Sequence, residues 1–127
     1  MNKYLGLPYK NKGRSWCGVD CYGLVYLFYK HEKNIILDKY DEDYQNSASA
    51  KEAHTALNKN KNFWAQTFTP GFGDVILFGQ NGILNHVGLF VDNKSFLHIQ
   101  ENTNSCIEKI ELHKQKIKGY YRYDKNV

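Results

Sequence analysis

No stretch of this 127-residue chain approaches the length of a membrane span, so no membrane insertion is expected. There is no repeat period and no low-complexity tract. One domain over 1–127 is expected, with no room for a second core. Cysteine is scarce and odd in number. Among Cys17, Cys21 and Cys106 at most one pair can form, so at least one thiol stays free. That suits a cytosolically made protein with a working thiol better than a disulfide scaffold. Cys17, Cys21 and His31 lack a second close ligand pair of zinc spacing; no metal is expected, and no organic cofactor. Charge of one sign is also thin. The net charge is +4, the lysines form no block, and no groove-reading motif accompanies them. No nucleic-acid partner is expected. The segment from Met1 to Gly6 has no apolar core of the secretory type, so no signal peptide is expected. A target outside the cytoplasm would need another means of delivery.

What is present is a cysteine where a polar, glycine-flanked segment turns apolar: Gly18-Val19-Asp20-Cys21-Tyr22-Gly23-Leu24-Val25. Asp20 can cap a helix running to about Lys33, with Leu24, Val25 and Phe28 on one face. Cys21 would then be its first residue. There the free backbone N–H groups and the positive dipole end favour thiolate, which predicts a pKa below about 8.5. Cys17 and Cys106 read as small buried or unreactive residues. Ser47 or Ser49 can cap a second helix through Ala50, Ala53, Ala56 and Leu57. Residues 1–19 and 34–46 read as irregular, with a possible helical turn near Lys3. Residues 63–68 read as an edge strand or loop.

After Pro70-Gly71-Phe72-Gly73 the apolar period changes. Residues 74–79, 85–92, 94–100, 105–113 and 118–123 read as successive strands of an antiparallel meander. The expected class is α+β, one central helix carrying the cysteine packed on a curled antiparallel sheet of about five strands. His86 opens the second of these strands, with Gly88 leaving space on the same face for a cleft. His98 lies on the next strand. The two imidazoles share a face if the turn near Asp92-Asn93 has an odd length. A two-residue turn would part them. Tyr9 is a loop phenol that could donate to an oxyanion beside the Cys21 N–H. His31, His54 and His113 read as helix-end, helix-surface and strand-surface residues.

Taken together, Leu7-Pro8-Tyr9, Asp20-Cys21-Tyr22-Gly23-Leu24-Val25, Gly73-Asp74-Val75-Ile76-Leu77-Phe78, Asn85-His86-Val87-Gly88-Leu89-Phe90 and Phe96-Leu97-His98 resemble the motifs of the NlpC-type cysteine peptidases. These are papain-like endopeptidases of bacterial cell-wall peptides. The resemblance spans nearly the whole chain. It implies Cys21 as nucleophile, His86 as base, His98 as the residue orienting it, and Tyr9 at the oxyanion. It places Asp20 against the free amine of a peptidoglycan stem peptide. It places Tyr22 and Gly88 at the substrate. Most cellular members carry serine where this chain has Tyr22. That bulk, and the ending Ile117-Lys118-Gly119-Tyr120-Tyr121-Arg122, look like the phage-tail branch. The implied setting is a virion tail, with other tail-tip proteins as partners. Two other readings stay open: a structural tail-tip protein without turnover, and an amidase or deamidase acting on a non-wall substrate.

Overall fold

A computed structural model describes residues 2–124. Asp20 caps the first helix, α1 (Cys21–Glu32), and its carboxylate accepts from the Gly23 N–H at 2.8 Å. Every residue from Gly23 to Tyr29 is buried. Each large apolar side chain among them contributes about 1.5–3 kcal/mol on leaving water. That burial on all sides makes α1 the centre of the molecule. Ser49 caps α2 (Ala50–Asn60), accepting from the Glu52 N–H.

The N-terminal segment is more ordered than an irregular loop. It holds a 3-10 turn at Asn2–Tyr4 and a two-stranded ribbon, β1 (Arg14–Ser15) with β2 (Gly18–Val19). The ribbon lies on the first turn of α1. A Cβ on Gly23 would sit 1.9 Å from the Gly13 carbonyl oxygen, so only glycine lets the two backbones meet there.

The remaining strands are β3 (Trp64–Thr67), β4 (Val75–Gln80), β5 (Ile83–Phe90), β6 (Ser95–His98), β7 (Cys106–Lys109) and β8 (Ile117–Tyr123). They form one antiparallel sheet of six strands in the order β3-β8-β4-β5-β6-β7. The sheet differs from a five-strand meander in two ways. β3 is a true strand, and β8 returns to lie between β3 and β4. The expected strand over 105–113 also stops at Lys109, and the chain turns into a 3-10 helix at Ile110–Lys116. Asn81 and Gly82 both have positive φ, as a two-residue β4–β5 hairpin requires.

The alternation of the strands sorts the core onto two faces. Val75, Leu77, Val87, Leu89 and Leu97 pack with α1. Ile76, Phe78, Phe90 and Phe96 form a second cluster with Ile110, Ile117 and Tyr120. At the head of β4, the buried Asp74 accepts a forked pair of bonds from Arg122 of β8, the shortest 2.7 Å. This pins the last strand to the motif that opens the sheet. Among the described residues no helix is long and apolar enough to cross a membrane.

Candidate active site

Cys21 is the first residue of α1, partly accessible, with the helix N-terminus behind it. It lines a cavity of about 430 Å³ together with Tyr9, Ser47, His86, His98 and His113. Tyr9 reaches the cavity because the segment around it is tied to β2, through Lys10 N–H to the Val19 carbonyl at 2.9 Å. Its hydroxyl bonds that of Ser47, and both residues line the cavity with Cys21.

The two histidines are brought together by register. Leu89 pairs with Leu97 and Phe90 with Phe96, and Val91 closes onto Ser95. The turn therefore holds three residues, 92–94, and has the odd length that puts His86 and His98 on one face. Its first residue stabilises it, since the Asp92 carboxylate accepts from the Lys94 N–H at 2.9 Å. By this register His86 and His98 are diagonal neighbours. Their facing nitrogens, His86 Nε2 and His98 Nδ1, lie 2.8 Å apart. His98 is buried, and its Nε2 is 2.7 Å from Glu108 Oε1 on β7. The other Glu108 oxygen is 2.8 Å from His113 Nε2.

A model of the NlpC/P60 family matches residues 6–123. The chain belongs to this family. Solved structures agree on the fold. The NlpC/P60 domain of the peptidoglycan hydrolase SagA superposes with a TM-score of 0.66 at 16% identity, over 94% of this chain and 90% of that one. NlpC1 from Trichomonas vaginalis gives 0.71 at 18% identity, over 96% of this chain and 41% of that one. An NlpC/P60 protein from Bacillus cereus gives 0.69 at 21%, over 94% and 36%. Among curated proteins none matches the chain.

In this NlpC/P60 chain three sequence expectations need correcting. The first concerns Asp20. It is wholly buried, and an ionised carboxylate offers about four acceptor sites. One oxygen takes Gly23 N–H at 2.8 Å and Arg14 Nη1 at 2.9 Å. The other takes Lys12 N–H at 2.9 Å and the Tyr44 hydroxyl. No acceptor is left for a substrate amine, so Asp20 builds the site rather than touching substrate. The second is Gly88. Its space is not open, because a Cβ there would meet Phe78 and Phe96 at 3.3 Å each. The glycine lets those rings pack under the histidines.

The third correction is electrostatic. Burial, and then the nearby Asp20 carboxylate, push the Cys21 thiol up to about 12, against the pull of the Val87 and Tyr22 backbone groups and Arg14. The helix terminus alone would have lowered it; burial of the thiol reverses the sign, and the acid beside it adds to the rise. His86 is driven the other way, down to about 3, by burial and then by His98 and His113. The resting pair is therefore a neutral thiol and a neutral imidazole.

Burial of a neutral histidine has a consequence for stability. The unfolded His86 takes up a proton below its ordinary value near 6.5, while the folded one resists down to about 3. Its contribution is thus full above pH 6.5 and declines as pH falls toward 3. Between pH 6.5 and 5 the loss should reach about 2 kcal/mol at about 1.4 kcal/mol per unit. Urea midpoints at pH 7 and 5 check this. The wild type should fall clearly, and His86→Gln should show a flatter response. Equal pH slopes would remove His86 as the source.

Tyr22 sits elsewhere than the histidine cavity. Its hydroxyl donates to the Asp38 carbonyl at 2.7 Å, and its ring stacks under the Arg14 guanidinium. It lines an apolar cavity of about 70 Å³ with Ala53, Ala56, Leu57 and Val87, which meets Cys21 from the other side. Cys17 is exposed, not buried, and Cys106 is half-buried beside Glu108. His31 is exposed at the helix end against the Trp16 ring. His54 is half-buried and accepts the Leu84 N–H at 2.8 Å, which anchors α2 to β5. His113 is not a strand-surface residue. The 3-10 helix turns it back onto Glu108, and the pair escaped sequence reasoning. Register held the one available clue, since Glu108 lies two positions from Cys106, the partner of His98.

His98, Cys106 and Glu108 present ligand atoms within 4.8 Å of one another. His98 and Glu108 are nonetheless bonded directly at 2.7 Å, closer than the roughly 3.3 Å separating two donors on a tetrahedral zinc ion. The cluster is a hydrogen-bonded chain.

Proposed function

We propose that this chain is a cysteine endopeptidase that hydrolyses peptidoglycan stem or cross-bridge peptides. The observation that carries the reading is the meeting, in one cavity, of Cys21 at a helix N-terminus, the bonded pair His86–His98, and Tyr9. Cys21 Sγ attacks the peptide carbonyl while His86 takes the thiol proton. The two neutral partners make this a general-base step, as with a hydroxyl nucleophile, rather than attack by a preformed thiolate. The oxyanion accepts from the Cys21 N–H and the Tyr9 hydroxyl. His86 returns the proton to the leaving amine. Water, activated by His86, then hydrolyses the thioester and frees Cys21. His98 holds the His86 ring throughout.

The setting we infer is a phage tail tip that opens the wall locally, alongside other tail proteins. Supporting it are the bulky Tyr22 after the nucleophile and the ending Ile117–Arg122. Digestion of purified peptidoglycan of several wall chemotypes, with fragments read by mass spectrometry, tests the chemistry. New stem-peptide termini should form with the wild type and none with Cys21→Ala. Intact wall after incubation with the folded wild type would reject the peptidase reading.

A further inference from the structure

We propose that Glu108 is a positioning residue: it sets the direction of the hydrogen-bond chain so that His86 keeps an unprotonated Nδ1 for the cavity it shares with Cys21. The inference rests on the Cys21–His86–His98 reading and extends it by one residue.

The argument is one of donors and acceptors. Glu108 is bonded to two imidazole nitrogens, and both pull its carboxyl below the usual range. An ionised carboxylate only accepts. His98 Nε2 must therefore carry the proton in the 2.7 Å bond to Oε1. A neutral imidazole has one N–H, so His98 Nδ1 is left as an acceptor. The nitrogen facing it at 2.8 Å, His86 Nε2, must then be the donor. His86 is neutral too, so its Nδ1 bears the free lone pair. That is the tautomer able to take a proton from a thiol. Reversing the chain at any link would put N–H on His86 Nδ1 and disable it.

Placement supports the assignment. His98 is 2% exposed, so no water competes for its Nε2. His113 donates to the second oxygen of Glu108 and is itself seated edge-on against Phe96, ring centres 5.1 Å apart. The carboxylate, on β7, is thus held from two other elements, β6 and the 3-10 helix. Its charge raises the proton affinity of His86, against burial and against His98, His113 and Lys116, which lower it. Tyr9, the neutral Cys21 and Glu101 are the other titratable groups lining the cavity.

The test uses the full chain, labelled with nitrogen-15, and the variant Glu108→Gln. Gln has the same shape but no charge, and can donate as well as accept. Long-range proton–nitrogen spectra at pH 7 should show wild-type His86 as the Nε2–H tautomer alone, and the variant as a mixture. On a cleavable wall peptide, kcat/KM should fall about 10–100-fold with KM little changed, by analogy with loss of the carboxylate that orients a metal-bound histidine. Its acid limb should move to lower pH, because the charge that raised His86 is gone. A structural role alone would lower the melting temperature and leave tautomer and limb in place, which would overturn the proposal. So would an Nδ1–H His86 in the wild type. If no peptide is cleaved, the spectra still decide, and only the peptidase reading falls.

Discussion

Cys21→Ser and His86→Gln should each lower kcat/KM on a wall peptide by about 10⁴-fold or more, and the double variant should be no worse than either. The non-additivity follows from the resting state. With the thiol pushed up to about 12 and the imidazole down to about 3, neither group is reactive by itself. In the proposed mechanism the proton leaves sulfur only as the C–S bond forms, and only to His86. Without the base the thiol is a poor nucleophile, and without the thiol the base has no task. Residual turnover would come from binding and the oxyanion donors. A double variant whose loss equals the product of the two singles would mean the residues act independently, and the dyad would have to be abandoned. The same electrostatics predict that the free protein alkylates slowly at neutral pH. Slow reaction with iodoacetamide is therefore compatible with an active enzyme, and cleavage itself has to be measured.

The parts of the fold that local chemistry decides were legible. The Asp20 cap followed by an apolar run specified α1, and the change of apolar period after Pro70-Gly71-Phe72-Gly73 specified the strands. The histidine pair was legible only conditionally, because one residue more or less in a turn flips every side chain beyond it. The three-residue turn at 92–94 resolves that choice, through the Asp92 carboxylate. What was illegible is non-local. Insertion of β8 between β3 and β4 depends on pairings between residues about fifty apart in sequence. The Glu108–His113 bond depends on a strand that stops at Lys109 and coils back. Alternation alone continued that strand through His113 and left both residues without a role. The sign of the Cys21 shift depended first on the burial of the thiol and then on the buried carboxylate of Asp20, neither of which local sequence displays.

Asp20→Ala should destabilise the protein by about 3–5 kcal/mol, the largest stability loss expected from any single site near the nucleophile. It removes the acceptor of four donors at once, including the helix cap. More costly still, it leaves Arg14 with a buried, uncompensated charge, since that side chain is 7% exposed. Asp20→Asn separates the two effects. Asparagine caps a helix as well as aspartate does, so most of whatever loss remains belongs to the Arg14 charge. Arg14→Met in either background should be less harmful than in the wild type, because the pair is then removed whole. For each Asp20 variant, chemical denaturation of the four members of its cycle (wild type, the two single variants and the double) gives the coupling energy directly. Additive losses would show that Arg14 and Asp20 are not energetically paired. Asp20→Asn should also change chemistry in the opposite direction. The carboxylate raises the Cys21 thiol and Arg14 lowers it. Deleting the first and freeing the second both favour thiolate, so alkylation at pH 8 should accelerate, about tenfold for each unit the thiol falls. A less stable protein with a faster thiol is the signature of a carboxylate that builds the site and restrains its nucleophile. An unchanged thiol would mean that burial alone holds Cys21 neutral.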